Sequence, residues 1–333
     1  MVLLSLLLGL AGLYLSVGGA VFEPDAYRVQ DFGLPLLILA VASFLTKWIS
    51  PAARIWLLCR AQKVTLSYRS ALLAHLAAMF VAAFTPNNTG VGPATVAVLG
   101  RLGVPLGRGI GVAVQMFVLD LIFFAWTVPL GLAYLVYADE ISLSPNSAAV
   151  ALTIAVLTIT GAAALIRYPR PVARLLLTAA EWPLLNRFAS RLRQAARDYH
   201  RSMRTFQQAT VSTWFALNVF TVLQWFGSFM LFWSLLRLYG VETNPLATLA
   251  ILSSLTLVSH VVPTPGAAGF MEAAVAFSIG GRAGAAAAAV LIWRLASFYA
   301  IFVLGPLAGW LLHLSLPTAP TDRPTTHEPN SPL

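Results

Sequence analysis

The chain has 333 residues, of which 59% are hydrophobic and only 10% charged, against roughly 25% charged in an average soluble domain. With a mean hydropathy of +0.79, this balance excludes an ordinary soluble enzyme and points to a polytopic membrane protein. The net charge of +9 is concentrated, because residues 167–208 hold nine arginines against Glu181 and Asp198. A basic block lying between membrane helices does not suggest nucleic acid, and none is expected as a partner.

In chain order, the stretch 1–20 is apolar and lacks the positive n-region of a cleavable signal peptide, so it reads as a retained first helix. Further apolar segments fall near 33–58, 71–84, 90–100, 109–137, 147–166, 209–238, 245–262, 269–281 and 284–313. Several are too short to span a hydrocarbon core of ~30 Å at ~1.5 Å per residue, and the short ones come in two pairs. Beyond Leu314 the chain is rich in Pro and Thr without apolar period, so 315–333 is expected to be a disordered tail. No soluble catalytic domain is expected. The single cysteine, Cys59, excludes an internal disulfide and any multi-cysteine metal cluster.

Cytoplasmic loops carry excess Lys and Arg. Arg60, Lys63 and Arg69, then Arg101 and Arg108, then the 167–208 block read as inside. Residues 21–32 (Glu23, Asp25 and Asp31 against Arg28) and 138–146 (Asp139, Glu140) read as outside. The signs agree if 71–84 and 90–100 form a hairpin opening to the cytoplasm and 245–262 and 269–281 one opening outward. Both termini are then cytoplasmic, and Cys59 is expected to be out of reach of an impermeant thiol reagent added outside.

The two hairpin tips share a pattern. The first reads Thr85-Pro86-Asn87-Asn88-Thr89-Gly90 and the second Thr264-Pro265-Gly266-Ala267-Ala268-Gly269; both fit T-P-x3-G-x3-A. Each hairpin then ends in G-R-x-G, at Gly100-Arg101-Leu102-Gly103 and Gly281-Arg282-Ala283-Gly284, and a long helix with a late proline follows, Pro129 or Pro306. The topology puts the copies in opposite orientations. Inverted repeats with broken helices are a construction of transporters whose sites lie near the midplane. Proline and glycine free backbone groups that hydrocarbon tolerates only where they are buried in protein or line a polar cavity. The plainer reading is that they kink packed helices.

At these residues the chain resembles the flippase-like transmembrane family, also called the lysylphosphatidylglycerol synthase transmembrane region. That region is the membrane half of the bacterial multiple-peptide-resistance-factor proteins and also occurs alone. The similar segments are FTPNNTGVGPATVAVLGRLGVPLGRG (84–109), VVPTPGAAGFMEAAVAFSIGG (261–281) and LIWRLASFYAIFVLGPLAG (291–309), with Arg294 the helical arginine before the last proline. The resemblance covers roughly 33–313. It implies movement of lipids between leaflets, an aminoacylated phosphatidylglycerol in the bacterial case. Where many relatives carry an acidic residue after the first tip and a Glu–Arg pair before the helix aspartate, this chain has Val91, Met116 and Phe117, with Asp120 retained. The domain that makes the aminoacyl lipid is not expected here.

An ionisable residue at mid-membrane costs about 2.5–3.5 kcal/mol on insertion scales and is a functional hypothesis by default. Lys47, Asp120, Glu272 and Arg294 are the candidates, with His75, His260, Asn87, Asn88 and Gln115 as polar company. Asp120 and Arg294 occupy the long helices of the two repeats and are expected to face each other or a shared cavity, Arg294 holding a lipid phosphate through its planar fork; a structural Asp–Arg pair is the alternative. Glu272, three residues past Gly269, either caps its half-helix or receives a cationic amine or a proton. The histidines read as satisfied interior groups. Gly107/Gly111 and Gly280/Gly284 have the spacing that allows close helix packing. In 186–207, Phe188, Leu192, Ala195, Tyr199, Met203 and Phe206 share one helical face amid arginines, the pattern of an interfacial helix that gathers anionic lipid or simply anchors.

The expected fold is all-α, a polytopic membrane helical bundle of two inverted repeats (33–137 and 209–313) within a transmembrane domain 1–314, each with a broken or re-entrant hairpin. The expected cavity residues are Thr85, Pro86, Asn87, Asn88, Gly90, Asp120, Thr264, Pro265, Gly266, Gly269, Glu272 and Arg294. The expected role is a multi-pass cell-membrane lipid translocase, not an enzyme. It has no metal or other cofactor, membrane phospholipids (anionic or aminoacylated) as partners, and a homo-oligomer as an open arrangement. A transporter of a small polar solute fits the same fold logic. A membrane-embedded lipid transferase would need acids clustered at one interface. G-x4-G-K-[ST] does not occur, so drive is expected from a gradient or a partner.

Overall fold

The computed structural model describes residues 2–17, 24–29, 33–86, 88–139, 145–278 and 283–315. Asn87, Gly280, the Gly281–Arg282 pair, Glu23, Asp31, Glu140 and the tail from 316 onward lie outside the described residues. Every described element is helical: α1 (Val2–Val17), α2 (Leu34–Ala61), α3 (Tyr68–Ala82), α4 (Val91–Arg101), α5 (Leu106–Tyr137), α6 (Pro145–Arg167), α7 (Arg170–Glu181), α8 (Ala189–Gln207), α9 (Val211–Leu238), α10 (Pro245–Ser259), α11 (Phe270–Ser278), α12 (Ala283–Arg294) and α13 (Ile301–Ser315). A π-helical turn, Leu295–Tyr299, joins the last two. Within the described residues each apolar segment read from the sequence is helical at close to its expected bounds, 284–313 being split by the π-turn.

Among the described residues, four spans are long and apolar enough to cross a membrane: Leu34–Ala61, Leu106–Tyr137, Val211–Leu238 and Ala285–Leu314. At ~1.5 Å per residue, the 28 residues of α2 reach about 42 Å, beyond the ~30 Å hydrocarbon core. The element lengths pair up along the chain. α2 and α9 have 28 residues each, and α3 and α10 have 15 each. Packing is reciprocal as well: α2 lies along α9, α3 against α13, and α10 against α5. The approach of α2 to α9 is close because Gly227 leaves room that a Cβ would take from Thr46 Oγ1.

The buried interior has two main bodies. One gathers Phe123, Phe124 and Val128 of α5, Phe229 and Phe232 of α9, Leu252 of α10, Val275 of α11, and Ala287 to Val290 of α12. The other gathers Ile55 and Leu58 of α2, Leu99 of α4, Val112 and Leu119 of α5, and Tyr199, Met203 and Phe206 of α8. Outward faces are apolar too. Val303, Leu307 and Trp310 stand exposed at helical spacing on α13, as expected of a surface that meets lipid.

α8 departs from its expected place. Ala195, Tyr199, Met203 and Phe206 share a face as the periodicity predicts, yet that face is covered by protein: Tyr199 and Met203 have no exposed surface. α5 provides the cover. Gly107 and Gly111 lack the Cβ atoms that would overlap Ala195 O and Ser202 Oγ, and Gln115 Nε2 donates to Ser202 O at 3.2 Å and to Ser202 Oγ at 3.1 Å. The GxxxG spacing on α5 therefore receives α8, and Gln115 belongs to this seam and not to the tips.

Candidate functional site

The two Thr-Pro breaks meet. Pro86 and Pro265 form an isolated antiparallel bridge, so the tip of α3–α4 touches the tip of α10–α11; Pro86 is exposed and Pro265 buried. Each break turns in the same way. Asn88 N donates to Thr85 O and Thr89 N to Pro86 O; at the matching positions, Ala267 N donates to Thr264 O and Ala268 N to Pro265 O. The residue three past each threonine is left-handed, Asn88 at φ 57° and Ala267 at φ 52°. Alanine resists this conformation by roughly 1–2 kcal/mol, so the surrounding packing must hold it.

The threonines secure the turns by different bonds. Thr85 Oγ1 donates to Ala82 O at 2.6 Å and accepts from Gly90 N at 2.8 Å, closing the first tip on itself. Thr264 Oγ1 donates to Ala268 O at 2.9 Å. At the second tip Glu272 takes over the capping: its Oε2 accepts from Gly269 N at 2.8 Å, the return half of a capping box. Its other oxygen, Oε1, accepts from Arg294 Nε at 2.7 Å, and Arg294 Nη2 donates to Gly266 O at 3.1 Å. Capping and ion pairing thus use the two oxygens of one carboxylate, which is 2% exposed. The Arg294 guanidinium also lies 4.8 Å from the Phe298 ring centroid, on the π-turn.

Asp120 and Arg294 do not pair. Asp120 Oδ1 accepts from Arg54 Nη1 at 2.9 Å and from Trp225 Nε1 at 2.9 Å. Arg54 further donates to Gln224 Oε1 at 2.5 Å and to Met116 O at 2.7 Å, tying α2, α5 and α9 together. The expected Asp120–Arg294 pair is replaced by two separate pairs because each charge has a nearer partner, Arg54 on α2 for the aspartate and Glu272 across the second tip for the arginine. With two of its nitrogens engaged, Arg294 is built first to hold the second tip.

Lys47 lies on α2 two turns before Arg54, on the same face. It is within electrostatic reach of Arg294 and of buried His75, its ammonium sits 4.9 Å from the Trp48 ring centroid, and among the described residues it makes no ion pair. Pro51, four residues on, has no N–H to give Lys47 O, so the helix exposes a polar backbone group at the same level. Among the described residues, buried Trp48 Nε1, Arg54 Nε and Asn88 Oδ1 have no hydrogen-bond partner. His260, by contrast, is exposed and bonds Thr256 O through Nδ1 at 2.8 Å, as a satisfied histidine does.

The family described as the lysylphosphatidylglycerol synthase TM region matches residues 2–305. The chain belongs to that family. Over 294 residues, 82% of this chain and 85% of the relative, it is 24% identical to a UPF0104 membrane protein of Archaeoglobus fulgidus.

Sequence reasoning missed three components of this LPG synthase TM-region protein. Arg54 has no exposed surface; its signal was its place seven residues after Lys47 and three after Pro51, inside an apolar span. The second is the packing of α1, expected only as a retained first helix, on α11. A Cβ on its Gly9 would sit 2.6 Å from Tyr299 Oη and 2.9 Å from Glu272 Oε1, and one on Gly12 would overlap Gly269 O. The third is the π-turn beside Arg294, which follows no motif; such turns are frequent at functional sites.

Proposed function

We propose that this protein is an integral membrane lipid translocase that moves a phospholipid or lipid-linked headgroup between leaflets past the junction of its two tips. The observation that carries the reading is the Pro86–Pro265 contact: non-helical backbone from both halves converges, the Glu272–Arg294 pair holds the second tip, and Lys47 lies within electrostatic reach of that arginine. Irregular backbone within a membrane is tolerated where it is buried in protein or lines a polar cavity, and a path for a headgroup is such a cavity. The paired element lengths, the reciprocal packing and the matched tip turns support an inverted-repeat arrangement, in which alternate opening on either side of a fixed site moves a substrate across. Lys47 supplies positive charge for a headgroup phosphate, and the apolar outer faces of α5 and α13 leave the acyl chains in lipid. We place the protein in the cell membrane with both termini cytoplasmic, acting without chemical conversion of the lipid.

The test is a proteoliposome assay with headgroup-labelled phospholipids, reading the label that becomes reachable by a membrane-impermeant quencher. Wild-type protein should speed exchange between leaflets over protein-free vesicles, and Lys47→Met should reduce that rate by about tenfold, the effect of one lost charge-assisted contact. Exchange no faster than in empty vesicles for zwitterionic, anionic and aminoacylated lipids alike would overturn the reading. Uptake of a small polar solute under those conditions would then identify a solute carrier.

A further inference from the structure

A groove of about 540 Å³ runs between α7 and α8. Arg193, Arg197, His200, Arg201 and Arg204 line it from α8, and Ala173 and Leu177 form its apolar wall on α7. The two acids of residues 167–208 do not line it: Asp198 is buried and bonded to Gln194 Nε2, and Glu181 closes the end of α7. Arg197 donates to Gln194 Oε1 through Nε and Nη2, whereas Arg193, Arg201 and Arg204 make no ion pair among the described residues. At ~1.5 Å per residue, the stripe from Arg193 to Arg204 is about 16 Å long, room for two phosphates side by side.

The groove lies at the arginine-rich end of the bundle. α7 begins three residues after α6 ends, α8 packs on the start of α5, and α9 begins four residues after α8. The platform therefore covers the end of the bundle where these helices leave the hydrocarbon. Tyr168 just before α7, Leu175 within it and Trp182 just after it are 63%, 69% and 60% exposed. Exposed Tyr and Trp flanking a helix with an exposed leucine belong in the interfacial zone as anchors.

We propose that the α7–α8 groove is a binding site for an anionic phospholipid bearing two phosphates, whose headgroup lies along the arginine stripe and whose acyl chains run down beside half-exposed Leu177. Basic pockets next to membrane helices hold such headgroups by charge-assisted, often bidentate, guanidinium contacts. The site is separate from the tips, and its occupancy does not depend on translocation.

The experiment is native mass spectrometry of the full-length protein in detergent, loaded with diphosphatidylglycerol or with phosphatidylcholine and then stripped by detergent exchange. Diphosphatidylglycerol should be retained by the wild type and by an R69Q/R101Q/R167Q variant, which removes equal charge outside the groove. Retention should fall at least about tenfold in R193Q/R201Q/R204Q, and phosphatidylcholine should be lost from every variant. Should the triple groove variant unfold, Arg201→Gln alone should cut retention about threefold. Equal retention by groove variant and wild type overturns the proposal. So does full displacement of the lipid by equimolar inorganic pyrophosphate, which would mark a site for soluble phosphate.

Discussion

Glu272 accepts from Gly269 N and from Arg294 Nε at once, so one carboxylate fixes both the start of α11 and the last long helix against the tip. Removing one partner from a buried pair leaves an uncompensated charge and costs about 3–5 kcal/mol, whereas removing both costs less. Glu272→Gln and Arg294→Gln should each lower the thermal midpoint in detergent by several degrees, and the double variant should lose clearly less than the two losses combined. Additive losses would mean that the carboxylate acts only as a cap. The motif made Glu272 and Arg294 visible in the sequence, through T-P-x3-G and the arginine before Pro306, but not their contact. That contact depends on how α11 and α12 fold back, which no local pattern encodes. Arg54 stayed hidden for a related reason: a charge inside an apolar run looks like the end of a span until its partner, 66 residues away, is seen.

Among the elements, periodicity identified nearly every helix, because hydrocarbon on one side and packed protein on the other both demand long apolar runs. It identified the apolar face of α8 equally well and misjudged what covers it. A 3.6-residue period says which face is apolar, while the choice between lipid and another helix depends on shape. Here the shape was written in Gly107 and Gly111, whose missing Cβ atoms admit Ala195 O and Ser202 Oγ. Gly107→Val and Gly111→Val should therefore undock α8, exposing residues 167–208 to limited proteolysis at least about tenfold faster, since a contact worth more than ~1.4 kcal/mol is lost from the protected state. Gly100→Ala is the control: nothing lies within 4 Å of a Cβ there, and alanine's higher helix propensity should leave proteolysis unchanged or slower. Unchanged cleavage in both α5 variants would show that α8 is held from α7 alone.

For the whole molecule, the charge distribution predicts an orientation that packing by itself cannot supply. The arginine-rich end holds the start of α5, the end of α6 and the α7–α8 platform, while α5 runs about 48 Å, at ~1.5 Å per residue, to Tyr137 and Ala138 at the other end. Cys59, the natural reporter on the arginine-rich end, has no exposed surface, so silence from its thiol reflects burial and not sidedness. A Cys59→Ala background with new cysteines at exposed positions separates the two. Ser190→Cys on α8 should resist an impermeant maleimide in intact cells and react once the membrane is permeabilised, whereas Ala138→Cys should react in intact cells. The opposite labelling would turn the bundle over, leaving the tips and their ion pairs intact and moving the arginine groove to the outer leaflet. Labelling of both from outside would break the link between the basic loops and a single face. In that case α5 could not cross as one helix, and the reciprocal packing of α10 on α5 and α3 on α13 would have to be realised without a membrane between their ends.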